Sequence, residues 1–295
     1  MHETLFGGAM IAIVVFLVLT LATPCSASPR ETEHFFKTSD RVSLHYKNVG
    51  RGDRALVFIP GWLMPGEVFR HQWADLGDDY RVVVLNPRGQ GRSQIKVKDM
   101  SAARRARDIH ELLRHLKLTD YVLIGWSLGV MEVLEASTNH SLEGLRAMVL
   151  IDNSIGMGPA PAAAASARSG ASNRPMGRGP FGRYASEFSR AIFKRPPADD
   201  LLKAVERSAR QLPPAVAWRL LDKPHPRTFY KEAVLARDLP LWYAITPRYS
   251  AQAQELLHTR PQATVTVFDD AGHALFVDSA EAFNASLRQF LMQLH

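Results

Sequence analysis

Tyr121-Val122-Leu123-Ile124-Gly125-Trp126-Ser127-Leu128-Gly129 is the stretch on which the reading of this chain turns. Its first four residues are a continuous apolar run of strand length, and the residues from Leu128 onward have helical character. Between the two lies Gly-x-Ser-x-Gly. A strand that turns sharply into a helix must bring the two backbones close together, which the flanking glycines permit. The turn lifts the serine hydroxyl to a helix N-terminus, where the dipole favours developing negative charge. In this setting Ser127 reads as a nucleophile. The alternative is a structural loop serine.

Working outward, short apolar runs alternate with amphipathic stretches. Residues 42–48 alternate in period two, as a half-buried strand does. Ala55–Ile59, Arg81–Leu85 and Ala147–Ile151 are further apolar runs of strand length, suited to parallel strands covered on both faces. Between them, residues 101–118 place Ile109, Leu112, Leu113 and Leu116 on one helical face. This alternation predicts an α/β fold with a mostly parallel central sheet flanked by helices. The pattern breaks after Asp152. Residues 155–183 are rich in Gly, Ala, Pro, Ser and Arg and read as a flexible loop, and residues 184–238 read as short helices separated by prolines. Strand character resumes at 241–245 and 264–268, and a helix over 280–294 closes the chain. The expected organisation is therefore a leader at 1–27, a first core segment at 28–154, a loop and helical cap at 155–238, and a second core segment at 239–295.

A serine hydroxyl is a poor nucleophile at neutral pH and needs a base. His273, in Ala271-Gly272-His273, follows the last strand-like run and lies far downstream of Ser127. It is the expected general base, with a structural histidine as the alternative. A tetrahedral intermediate also needs preorganised N–H donors for its oxyanion. The Leu128 backbone, just after the nucleophile, is one candidate. The Trp62 backbone, in Pro60-Gly61-Trp62 after the strand 55–59, is the other.

On these motifs the chain resembles the α/β-hydrolase superfamily over about residues 40–152 and 236–294. Pro60-Gly61-Trp62 is similar to the family's His-Gly-x oxyanion motif. Asn86-Pro87-Arg88-Gly89-Gln90-Gly91-Arg92-Ser93 is similar to its Asp-x-Arg-Gly-x-Gly-x-Ser turn. Residues 125–129 resemble the nucleophile elbow, and 271–273 the histidine motif. The Gly61-Trp62 and Gly125-Trp126 pairs resemble carboxylesterases of small methyl esters and the cofactor-free perhydrolase (non-haem haloperoxidase) group. Pro60, Asn86 and Val130 depart from the usual residues at their positions. The main departure concerns the acid: where most relatives carry Gly-x-x-Asp after the penultimate strand, this chain reads Thr246-Pro247-Arg248-Tyr249.

An imidazole base still needs a group to orient it and to stabilise its charged form. Asp152 ends the strand after the nucleophile helix, a position from which some family members draw their acid. A carboxylate at the C-terminal edge of a parallel strand faces the active-site crevice. Asp152 is thus the expected triad acid, with a turn-capping role as the alternative. Asp269 and Asp270 lie too near His273 in sequence to be the first choice. The resemblance also implies that 155–238 shapes the acyl pocket. Phe181, Tyr184, Phe188, Phe193, Trp218 and Phe229 are candidates to line it, or else pack the cap's own helices.

The chain has 295 residues, 46% hydrophobic and 22% charged, enough for a sizeable core without staples. Its formal net charge of +7 comes from scattered residues with no basic run interleaved with aromatics, so no nucleic-acid partner is expected. The one cysteine, Cys25, excludes an intramolecular disulfide, and no Cys/His cluster has zinc spacing. No metal or organic cofactor is expected. The apolar run 9–22, followed by Cys25-Ser26-Ala27, reads as a signal for export to the periplasm or medium, cleaved near Ala27. A membrane anchor through 9–22 and a lipid-modified Cys25 are the alternatives. Taken together, the sequence predicts an exported serine hydrolase that cleaves small carboxylic esters through an acyl-serine. A perhydrolase or other acyltransferase on the same triad, and a non-catalytic ligand-binding protein on the same fold, are the competing readings.

Overall fold

The computed structural model describes residues 31–160, 181–222 and 224–294. The leader (1–27) and residues 161–180 of the expected loop lie outside the described residues. Eight strands form one sheet: β1 (Glu31–Lys37), β2 (Ser43–Val49), β3 (Ala55–Ile59), β4 (Arg81–Leu85), β5 (Tyr121–Trp126), β6 (Leu145–Ile151), β7 (Leu241–Ile245) and β8 (Thr264–Val267). Their spatial order is β1-β2-β4-β3-β5-β6-β7-β8. β1 and β2 run antiparallel to their neighbours, and every pairing from β4 to β8 is parallel.

Every residue of β3, β5 and β7 is buried, which explains their unbroken apolar sequences. Alternate residues serve opposite faces. Val122, Ile124 and Trp126 join one core with Phe58, Phe69 and Phe276, while Tyr121 and Leu123 join the other with Ile109, Leu112, Val133 and Leu134. The first face is covered by α1 (Arg70–Leu76) and the C-terminal helices. The second is covered by α2 (Ala102–His115) and α3 (Leu128–Asn139). Each buried Val, Leu or Ile contributes about 1.5–3 kcal/mol relative to exposure. The two-sided core therefore dominates the folding free energy and holds the strand ends in register.

β1 has no counterpart in the sequence pattern. Of Glu31–Lys37 only Phe36 is buried, so the segment lacks the apolar period that marks a strand. It is an edge strand held by its antiparallel pairing with β2.

After β6 the chain leaves the sheet. The helices α4 (Phe181–Ala191), α5 (Asp199–Ala209), α6 (Pro214–Arg219) and α7 (Arg227–Leu235) precede β7. α6 carries proline in its first turn, where the missing N–H is not needed. α8 (Ser250–Thr259) links β7 to β8, and α9 (Leu275–Asp278) and α10 (Ala280–Met292) end the chain. Among the described residues no helix is long and apolar enough to cross a membrane.

Candidate active site

The C-terminal ends of β3, β5 and β6 and the loop after β8 meet at one point. Ser127 is the hinge between β5 and α3, with φ 55° and ψ −120°. That region is unfavourable for a side-chain-bearing residue, at about 1–3 kcal/mol. The neighbours that enforce it are identifiable. A Cβ on Gly125 would lie 2.5 Å from the Gly129 carbonyl oxygen, and one on Gly129 would lie 2.3 Å from that of Ile59. Only hydrogen fits at either position. The Ser127 N–H donates to Ile151 O (3.0 Å), and Asn153 Nδ2 donates to Ser127 O (2.6 Å), tying the turn to the end of β6.

Three side chains distant in sequence form a continuous hydrogen-bonded series. Ser127 Oγ lies 2.8 Å from His273 Nε2, and His273 Nδ1 lies 2.7 Å from Asp152 Oδ2. Asp152 is 2% exposed and sits at φ 46° at the end of β6. Its other oxygen, Oδ1, accepts from both the backbone N–H and the hydroxyl of Thr246, each at 2.7 Å. Thr246 follows β7, the strand beside β6. A buried carboxylate with two donors on one oxygen and an imidazole on the other has its orientation fixed. Asp270 faces away from this series and pairs with Lys194 and Arg195, which hold its carboxyl below the usual range.

The loop bearing His273 is clasped from several sides. Trp126 Nε1 donates to His273 O at 2.9 Å, and Ala274 N donates to Ile192 O at 2.8 Å. Asp278 Oδ2 accepts from the N–H groups of Gly272 (2.8 Å) and Lys194 (2.9 Å). A Cβ on Gly272 would fall 2.7 Å from Lys194 N, so glycine is required where this loop passes the end of α4.

The loop after β3 passes over the serine. A Cβ on Gly61 would lie 2.8 Å from Ser127 Cβ and 3.3 Å from Oγ. Leu128, first in α3, has an N–H with no intrahelical acceptor, as at any helix start. Gln90, fully buried, holds this loop with both ends of its amide. Nε2 donates to Gly61 O (3.0 Å) and Met64 O (2.8 Å), and Oε1 accepts from Leu63 N (3.1 Å) and Arg105 Nη2 (3.2 Å). Arg105 in turn pairs with Glu132 on α3, and both are 2% exposed. Burial pushes the Glu132 carboxyl up, and Arg105 opposes that shift. Asn86, where an aspartate is usual in the resemblance, accepts from Gly66 N at 2.6 Å, closing the neighbouring turn.

A cavity of about 160 Å³ opens at Ser127. Its walls include Met100, Arg105, Leu128, Met131, Glu132 and Asn153 from the core, with Arg219, Leu220, Asp222 and Tyr230 from the helical segment. None of the six aromatics expected to line the pocket is among the residues lining this cavity. Tyr184, Phe188 and Trp218 pack on the Trp62 ring, with centroids 5.0–6.3 Å away, and Phe181 packs on Trp218. Phe193 is buried in the same core, and Phe229 stacks on His225. Trp62 Nε1 also donates to Ala217 O at 2.7 Å. The rings of Tyr184, Phe188 and Trp218 fasten the helical segment to the loop after β3. Their sequence signature, apolar bulk in a helical region, is the same for packing as for lining.

Thr246, Gln90, Asp278 and the Arg105–Glu132 pair were not singled out from sequence. Only Gln90 carried a signal, as the variable position of the Arg-Gly-x-Gly turn.

The profile of the Alpha/beta hydrolase family matches residues 56–286. Serine hydrolase BPHL from Homo sapiens is 36% identical over 104 residues, which cover 34% of this chain and 36% of that protein. The chain thus spans about a third of the length of that relative. N-formylmaleamate deformylase from Pseudomonas putida is 24% identical over 271 residues, covering 86% of this chain and 94% of that one. Among solved structures, a bromoperoxidase from Bacillus anthracis aligns with a TM-score of 0.73 at 18% identity, over 89% of this chain and all of the other.

Proposed function

This chain belongs to the alpha/beta hydrolase family, and on that premise we propose that it hydrolyses small carboxylic esters through an acyl-serine intermediate. The observation that carries this reading is the unbroken series Ser127 Oγ–His273–Asp152 at 2.8 and 2.7 Å, beside a cavity that contains the hydroxyl. His273 Nε2 takes the serine proton as Oγ attacks the ester carbonyl. Asp152 holds the Nδ1–H tautomer and balances the imidazolium that forms. The Leu128 and Trp62 amides receive the oxyanion. The intermediate collapses as His273 returns the proton to the departing alkoxide. Water, deprotonated by the same imidazole, then releases the acid. None of these steps requires a metal or organic cofactor. The similarity to a protein named as a serine hydrolase supports the reading over the 104 residues concerned.

An ester panel of graded acyl length, run on wild type and Ser127→Ala, tests the proposal. Wild type is expected to turn over short esters. The alanine variant is expected to fold and to lose about 10⁴–10⁶ in rate. Comparable activity in the two proteins would contradict it. The apolar run 9–22 supports export as part of the proposal. The mature protein should then begin near Ser28, and an intact mass retaining Met1 on soluble protein would overturn that part.

A further inference from the structure

The cavity at Ser127 has four charged side chains in its walls, and their partners differ. Arg105 and Glu132 neutralise each other within the protein. Arg105 bonds through Nε to Glu132, through Nη2 to Gln90 and, at 3.4 Å, through Nη1 to Arg88 O. A guanidinium has five N–H groups, so this buried group keeps donor capacity at the cavity wall. Asp222 is engaged by an interaction of its own. Arg219, in the last turn of α6, is exposed and makes no side-chain hydrogen bond or ion pair among the described residues. Of these four, Arg219 is the charged group with no side-chain hydrogen bond or ion pair among the described residues, and Arg105 is a second guanidinium with N–H groups to spare.

Most of the remaining wall is apolar: Met100, Leu128, Met131, Leu220 and Leu221. An occupant of this space meets hydrocarbon along its length, and among the charged groups of the wall Arg219 is the cation left to receive it, Glu132 being held by Arg105 and Asp222 by an interaction of its own. Guanidinium presents a planar fork that matches a carboxylate. A protein cavity of roughly 150 Å³ takes a ligand of about benzene size, so the chain between the scissile carbonyl and the charge is short.

We propose that the substrate is a half-ester of a short dicarboxylic acid, its free carboxylate received by Arg219 with Arg105 behind it. The proposal rests on the reading of Ser127 as nucleophile. The bond changes are those of acyl transfer: Ser127 Oγ–acyl forms and acyl–alkoxy breaks, the alcohol leaves with the proton from His273, and water then yields the dicarboxylic acid. The free carboxylate takes no part in these changes. It fixes which acyl group sits against Oγ.

The test measures methanol release from monomethyl succinate and methyl butyrate, which differ chiefly in that carboxylate. Wild type should favour the succinate in kcat/KM by at least about tenfold, from a charge-assisted bond partly open to water. In Arg219→Gln that preference should fall about tenfold, mainly through KM for the succinate, and Arg219→Lys should restore part of it. A wild type that prefers butyrate or shows no preference, or a preference unchanged in Arg219→Gln, overturns the proposal. Fluorophosphonate labelling of each protein separates the two levels. Failure of the probe to label Ser127 contradicts the underlying serine-hydrolase reading. A labelled enzyme that hydrolyses methyl butyrate but shows no preference for the succinate contradicts the carboxylate proposal alone.

Discussion

The ends of β6 and β7 lie side by side and divide one task between them. β6 ends at Asp152, which sits at φ 46° and points a carboxylate at His273. β7 ends at Thr246, in relaxed extended geometry (φ −83°, ψ 164°), with both its donors on the far oxygen of that carboxylate. In the sequence resemblance the acid belongs after β7. Here the strand that lacks it supplies the support instead, and the strained backbone lies on the strand that carries the charge. In this chain the carboxylate stands on the end of β6 and the two donors that hold it stand on the end of β7.

The sharpest way to break this division is Asp152→Asn. Asparagine tolerates positive φ better than most residues, so the turn should survive. The two Thr246 donors would hold the amide oxygen at the Oδ1 position, turning the NH₂ toward His273 Nδ1. That forces the proton onto Nε2, which then has no lone pair for the Ser127 hydroxyl. Turnover should fall by about 10⁴, as for loss of the correct tautomer in other triads, with thermal stability close to wild type. An active asparagine variant would break the comparison. A smaller effect is expected on the supporting side. Thr246→Val removes one of two donors to Asp152 Oδ1 and should lower kcat about tenfold, the scale of one hydrogen bond to a charged group. Thr246→Ser keeps the hydroxyl and should stay within about threefold of wild type. Equal losses in the valine and serine variants would show that packing at residue 246, and not its hydroxyl, holds the carboxylate.

The parts of the fold legible in the sequence were those in which burial imposes a pattern. β3, β4, β5, β6, β7 and α2 are apolar runs or helical faces because each is covered by the core. β1 was illegible because its pairing is made by backbone groups and its side chains face solvent. At the site, Ser127 was legible because the close strand–helix approach demands glycines at 125 and 129. Asp152 was legible only through its place at a strand end. Thr246, Gln90 and Asp278 were not, because a side chain that holds another residue's loop leaves no period or motif of its own. The aromatics of the helical segment show the converse. Their bulk was visible, but whether they face a cavity or pack on Trp62 depends on where the helices fold back, which no local pattern encodes.

The central claim is that Ser127, activated through His273, is the nucleophile. Its most direct test is mass spectrometry of tryptic peptides after treatment of the wild-type protein and Asp152→Asn with a fluorophosphonate. The account predicts a single phosphonyl adduct on Ser127 in wild type, forming orders of magnitude more slowly in the asparagine variant. An adduct on another residue, or labelling at the same rate in both proteins, would contradict it.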